Sequence, residues 1–362
     1  MNMDVDLDGL FLHNGTYDYD EDYMYKEDFE SRGSQAVLIP LLYSVEFVVG
    51  LLGNGLLLAV LVQKRRFWSM SDTFIIHLSV ADILLLVMLP LWAAQAARPC
   101  GWCFVGFLCK ISGAAFNINF YCGILLLVCV TVDRYLSIVH TTQLYSKKRP
   151  QLAHISCLLV WLISLILAIP DWVFMVAKKT STLEPKTLCV HKYSQADWKL
   201  VSRLLHHMLG FLLPAAALII CCFCILRRLL SSSKGLQKQR SIMVFLPLVG
   251  VFFLCWVPYN ITLIVDTIRS NPDDPEGSLK TALMVTSALG CLHACLRPLL
   301  YLGLCGNFRK RTLAMLKRTE VETKSSLWEL GVGEEVLPDQ GPEGEQLKQM
   351  TDVDHQVQTA QC

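Results

Sequence analysis

The stretch from Asp72 to Ala96 reads DTFIIHLSVADILLLVMLPLWAAQA, and its reading decides the fold. A helix crosses a hydrocarbon core of roughly 30 Å with about 20 mostly apolar residues. This run is long enough, and it is apolar continuously, not by alternation. Alternation is what a membrane β-barrel strand needs. Six further runs share the pattern, at 37–62, 106–139, 152–173, 201–228, 240–268 and 279–303. Backbone polar groups find no partners in lipid, so each run is expected to be helical. The fold class read from this is an all-α membrane protein, a seven-transmembrane helix bundle.

The remaining segments give the domain plan: an acidic N-terminal tail over 1–36, the bundle over 37–303, a short amphipathic helix over 304–317 and a disordered cytoplasmic tail over 318–362. The amphipathic element alternates apolar and basic residues from Gly306 to Lys317 and is expected to lie on the inner leaflet. In the last segment Thr319, Thr323, Ser325 and Ser326 are candidate phosphate acceptors. Lys64-Arg65-Arg66, Lys147-Lys148-Arg149, Arg227-Arg228 and Arg309-Lys310-Arg311 all fall on one side of the plan. The positive-inside rule makes that side cytoplasmic and the N-terminus extracellular, in a multi-pass plasma-membrane protein. Residues Met1 to Gln35 hold ten acids against Lys26 and Arg32, and no signal peptide precedes them. The loop 174–200 carries five lysines, so the same side is not uniformly acidic.

Composition excludes several classes. Hydrophobic residues make up 53% of the chain and charged residues 17%, against about 25% charged in soluble domains. No nucleophile motif, zinc-protease helix or phosphate loop is present, so no enzyme, cofactor or nucleic-acid partner is expected. A channel or transporter, the remote alternative, lacks a filter sequence, a charged ring and repeats. Cys100-Gly101-Trp102-Cys103 has redox or zinc half-site spacing, but without a second pair a metal role is not expected, and the pairing of the two thiols stays open. His206-His207 and Cys291-Leu292-His293-Ala294-Cys295 read as packing, with His293 turned away from the face shared by the two cysteines.

The polar residues inside the spans are the functional candidates, since buried charge in a membrane is expensive. Asn54 and Asp82 lie at matching depths, and Asp133-Arg134-Tyr135 closes the third run. Pro90, Pro170, Pro214, Pro247, Pro258 and Pro298 lie in or at the ends of runs, where proline kinks a helix. With Trp161, Cys255-Trp256-Val257-Pro258 and Pro298-Leu299-Leu300-Tyr301, this ordered set resembles the rhodopsin-type G-protein-coupled receptors over about residues 37–317. Asp133 to His140, Leu89-Pro90-Leu91-Trp92, Phe116 to Tyr121 and Thr142 to Tyr145 are similar to the chemokine receptors of the CXC group. The branch binding interferon-inducible CXC chemokines looks closest.

The resemblance implies a basic CXC chemokine outside and an inhibitory-class heterotrimeric G protein and arrestin inside, with membrane lipid around the bundle and homo- or heterodimers allowed for. The expected output is calcium signalling and leukocyte chemotaxis. Tyr17, Tyr19, Tyr23 and Tyr25 alternate with acids, read as an extended electrostatic bait, and in such receptors are sulfation sites. Asn14-Gly15-Thr16 is a glycosylation sequon; Asn260-Ile261-Thr262 lies within a span and is expected unused. A disulfide between Cys109 and Cys189 is implied. No cysteine lies in 1–40 or 269–280, so the second bridge usual in these receptors is absent and the tail is tethered less firmly. The resemblance places Trp92, Asp171, Tyr259, Asp266 and Ser287 in a ligand pocket, with negative charge from the two acids. It makes Trp256 beside Pro258 the lever, and Arg134, paired at rest with Asp133, the contact freed for the G protein.

One departure stands out. The family usually has asparagine before the last proline, where this chain has Arg297. Arg297 is expected to pair with Asp82 in the space a sodium ion fills in many relatives; the alternative is that it reaches toward inner-leaflet water. Either way it raises the rival reading of a scavenger or decoy receptor with impaired signalling.

Overall fold

The computed structural model describes residues 21–63, 68–139, 143–179, 186–230, 244–269 and 276–317. Within them seven helical spans are long and apolar enough to cross a membrane: Val37–Gln63, Met70–Ala97, Gly106–Leu136, Gln151–Phe174, Ala196–Arg228, Phe245–Ile268 and Leu279–Leu304. Their outward faces carry bare apolar side chains, among them Leu52, Leu158, Leu213 and Leu254. Only 28% of the most apolar window of the fourth and of the fifth span is buried by protein, so hydrocarbon must cover the rest. The interior is a column of buried rings, Phe74, Phe120, Phe252, Trp256, Tyr301 and Phe308.

Prolines shape the spans unequally. The second span breaks at Val87-Met88 into Met70–Leu86 and Leu89–Ala97, because Pro90 has no N–H and its ring would meet the Leu86 carbonyl. The fourth breaks the same way at Ala168, two residues before Pro170. Ahead of Pro214 the fifth span widens into a π-helical segment, His206–Leu212. Pro258 and Pro298 lie within unbroken helices, Phe245–Ile268 and Glu276–Leu304. The second span opens on a capping box: Ser69 Oγ accepts from the Asp72 amide at 3.2 Å, and Asp72 Oδ2 accepts from the Ser69 amide at 2.6 Å.

At the end where the first span begins, strands β1 (Met175–Lys179) and β2 (Thr187–His191) form an antiparallel hairpin with Ala177 opposite Cys189. Cys109 and Cys189 are bonded, pinning the hairpin to the head of the third span. Cys100 and Cys103 are also bonded, which settles their chemistry as a small staple. That loop hydrogen-bonds the hairpin through Trp102 N to Thr187 O, 2.7 Å, and Thr187 N to Cys100 O, 3.0 Å. Gly101 adopts φ +69°, and a Cβ there would lie 2.2 Å from the Thr187 carbonyl oxygen. At the other end Gly306–Lys317 forms the short terminal helix.

One expectation is corrected. The acidic segment read as extended is helical from Glu21 onward, so Tyr23 and Tyr25 stand on the backbone of a single helix reaching Gln63. The run 21–31 contains no glycine or proline, and it continues into an already nucleated span, where propagation costs less than initiation. Asn14, Tyr17 and Tyr19 lie outside the described residues, as do the candidate phosphate acceptors.

Candidate functional site

A polar and aromatic relay runs the length of the bundle. It begins near the hairpin with a ring cluster: Trp92 packs on Tyr43 at 5.9 Å and on Phe116 at 5.4 Å. Phe116 in turn touches Trp256 and Tyr259, each at 5.2 Å. Such offset and edge-on pairs add about 0.5–1.5 kcal/mol each beyond area burial. Trp256 is fully buried and also meets Phe120 at 4.7 Å and His293 at 5.4 Å. Beside it, Asn260 Nδ2 donates to the Trp256 carbonyl at 2.9 Å, which leaves Asn260 Oδ1 to accept from His206 Nε2 at 3.2 Å. His206 Nδ1 then accepts from the Tyr121 hydroxyl at 2.9 Å, and the neutral imidazole is satisfied on both sides.

Below the tryptophan, His293 carries the relay to the buried acid. Its Nδ1 lies 3.2 Å from the Trp256 indole N–H and 2.7 Å from the Gly290 carbonyl. The two contacts require opposite tautomers, so the ring proton decides which of them His293 holds. Its Nε2 stands 3.8 Å from Asp82 Oδ1. Asp82 is fully buried; Asn119 Nδ2 donates to Oδ1 at 2.9 Å and Arg297 Nη1 to Oδ2 at 2.8 Å. Arg297 is 4% exposed, so the alternative of a side chain reaching water is overturned. Asn54 Nδ2 fastens the first span to the seventh through the Ala294 carbonyl at 2.9 Å. Farther on, Arg134 donates to Ser71 Oγ and stands over the Phe245 ring at 5.0 Å, which bridges the second, third and sixth spans. Asp133 beside it is buried, Tyr135 is half-buried, and Tyr301 packs against Phe308 of the terminal helix at 6.4 Å.

Residues 53–301 match the sequence profile of the 7 transmembrane receptor (rhodopsin family). The chain is 41% identical over 320 residues to C-X-C chemokine receptor type 3 of Bos taurus, covering 85% of this chain and 86% of the relative. It is 42% identical over 297 residues to C-X-C chemokine receptor type 3 of Homo sapiens, covering 81% and 79%. To C-X-C chemokine receptor type 1 of Oryctolagus cuniculus it is 36% identical over 295 residues, covering 80% and 82%. The chain belongs to the CXC chemokine receptors of the rhodopsin family. It is a multi-pass plasma-membrane receptor and not an enzyme.

Set against the residues singled out in its sequence, the receptor joins Trp92, Tyr259 and Trp256 through Phe116, which was quoted in a motif but not chosen. Ser287 is turned back onto its own helix, donating to the Met284 carbonyl at 2.8 Å. The two acids expected at the pocket mouth are paired with protein side chains. Asp266 is held by Lys199 at 3.3 Å and Arg203 at 3.4 Å, and Asp171 by His191 at 2.6 Å. Flanking this cluster, burial raises the Tyr193 phenol above its ordinary range, with the Arg203 guanidinium opposing. His206 and His293, read as packing, are central members of the relay. An imidazole inside an apolar run needs a partner, but the sequence does not show which residue supplies it. Pro247 sits in the sixth span near its Arg134-facing end, and Pro298 overlies Gly53, whose added Cβ would meet the proline ring at 2.7 Å.

Proposed function

We propose that this receptor binds a basic CXC chemokine on its extracellular face and passes the event to an inhibitory-class heterotrimeric G protein in the cytosol, driving calcium signalling and chemotaxis. The observation that carries the reading is the position of Trp256, which touches both the pocket ring Phe116 and His293 above the Asp82–Arg297 pair. A ligand that moves the pocket rings thereby biases the packing around Arg134, the residue offered to the G protein. An agonist acts only through different affinities for the two states. Two disulfides at the hairpin end and basic clusters at the other support an extracellular N-terminus. Tyr17, Tyr19, Tyr23 and Tyr25, sulfated, and glycosylated Asn14 would present the capture surface. Trp92, Tyr259 and Ser287 would form the deeper pocket with Asp171 and Asp266 at its mouth, and arrestin and lipid would engage the cytosolic side.

The scavenger reading is favoured by one observation, the Asp82–Arg297 pair, which ties the second span to the seventh without an exchangeable ion. A panel of CXC chemokines applied to cells expressing the receptor separates the two, with cyclic-AMP suppression and ligand uptake read side by side. Suppression is expected; uptake without suppression establishes the scavenger.

A further inference from the structure

The relay leaves one buried acid unused. Glu46 lies in the first span, 1% exposed, and neither of its carboxyl oxygens has a hydrogen-bond partner among the described residues. Among the described residues no cation pairs with it. Tyr43 stands one turn nearer the hairpin end. Buried Cys291 and Cys295 lie on the seventh span, and buried Cys255 on the sixth. The Cys295 thiol donates to the backbone carbonyl of Glu46, at 3.1 Å, and not to the carboxyl group. A carboxyl group placed in this way carries a desolvation cost that a well-seated cation would offset in part. Ionisable groups at such depth are kept for function more often than for packing.

The other acids of the bundle interior are already engaged. Asp82 holds Arg297 and Asn119, Asp171 holds His191, and Asp266 holds Lys199 and Arg203. A positive group entering from the hairpin end therefore passes acids already paired with protein side chains before it reaches Glu46. Tyr43, one turn from Glu46, packs on Trp92, and Trp92 on Phe116, rings suited to guide a cation over their faces. The thiols do not make this a metal centre: among the described residues no three His, Cys, Asp or Glu side chains converge on one ion-sized point.

We propose that Glu46 is the specificity-determining carboxylate of the pocket, pairing with a cationic group (an α-ammonium, lysine or arginine) at the flexible end of a basic protein ligand. Seating that group requires the Tyr43–Trp92 ring pair to part. Because Trp92 packs on Phe116 and Phe116 on Trp256, the parting is felt at the lever. The assignment rests on the chemokine reading above and names the side chain that would discriminate among ligands.

The test is a charge cycle on the full-length receptor in cells. The probes are recombinant CXC chemokines in two forms: native, and with an acetylated N-terminus and glutamine in place of every lysine and arginine ahead of the first cysteine. Glu46→Gln is expected to lower the potency of native forms on order of ten- to a hundredfold while changing the neutralised forms less than twofold, consistent with loss of a desolvated charge pair. Glu46→Asp is expected to recover part of the loss. Surface staining normalises each variant. If the unmodified receptor responds and Glu46→Gln stays within twofold of it, or both probe forms lose equally, the Glu46 assignment falls alone. If the unmodified receptor ignores every probe, the chemokine reading falls and takes the assignment with it.

Discussion

Arg297 is the residue that most separates this receptor from the usual pattern. A guanidinium is permanently charged and presents its donors in a fixed fork, so it binds Asp82 without an exchangeable ion. Removing one partner of a buried pair costs about 3–5 kcal/mol, because the other charge is left uncompensated. Arg297→Asn is therefore expected to lower the thermal stability of the solubilised receptor by that order. Sodium should return part of the loss, since the vacated space beside Asp82 then suits a small cation. Melting curves in sodium chloride and in choline chloride at equal ionic strength check both points. The unmodified receptor should melt at the same temperature in the two salts, and a sodium effect of equal size in both proteins rules the idea out. Arg297 could be singled out in the sequence because it stands where the family it resembles usually has asparagine. His206 and His293 could not, because their partners lie on other helices. In runs apolar on every face, periodicity does not reveal which side turns inward.

Among the elements, span boundaries were legible to within several residues, while the effect of each proline was not. Pro90 and Pro170 break their helices and Pro258 and Pro298 do not, although the local chemistry is the same. Neighbouring helices decide whether the carbonyl four residues before each proline, left without its backbone donor, is met. The π-helical segment of the fifth span has a specific use. It seats Gly210 against Tyr121, where a Cβ would fall 2.3 Å from the ring. Gly210→Ala is expected to displace Tyr121, break its bond to His206 and cost about 1–3 kcal/mol by overpacking. Gly250→Ala, in open space, is the control that should melt like the parent. The disulfides differ in the same element-level sense. Cys109–Cys189 closes a separation of 80 residues, and Cys100–Cys103 one of 3. Stabilisation by a crosslink grows with the loop it closes. Paired serine substitutions at 100 and 103 should thus leave surface expression close to normal, while Cys109→Ser should lose most of it, as flow cytometry would show.

For the whole molecule, two kinds of order coexist. Lipid dictates the helices, and that much follows from composition alone, because no other backbone arrangement satisfies its hydrogen bonds there. Interior polarity dictates how the helices turn, and it is supplied by few residues: Asn54, Asp82, Asn119, His206, Asn260, His293 and Arg297. Outside the membrane the balance is electrostatic. Residues Met1 to Gln35 carry a net charge of −8, while Lys178, Lys179 and Lys192 on the hairpin and after it are exposed. On the proposed extracellular orientation a basic ligand would be drawn to the acidic segment and repelled by the loop beyond it, which would orient its approach before any pocket contact forms. Steering of this kind acts on association and is screened by salt, whose Debye length falls from about 10 Å at 0.1 M to about 3 Å at 1 M. Replacing Asp18, Asp20, Glu21 and Asp22 by their amides should therefore slow chemokine association about tenfold at low salt. Dissociation should change by no more than about twofold, since rim charges act on encounter. The difference between the two proteins should vanish as salt rises, and real-time binding on immobilised receptor measures both rates. If dissociation accelerates instead, with a salt-independent gap, the acids contact the bound ligand and do not steer it.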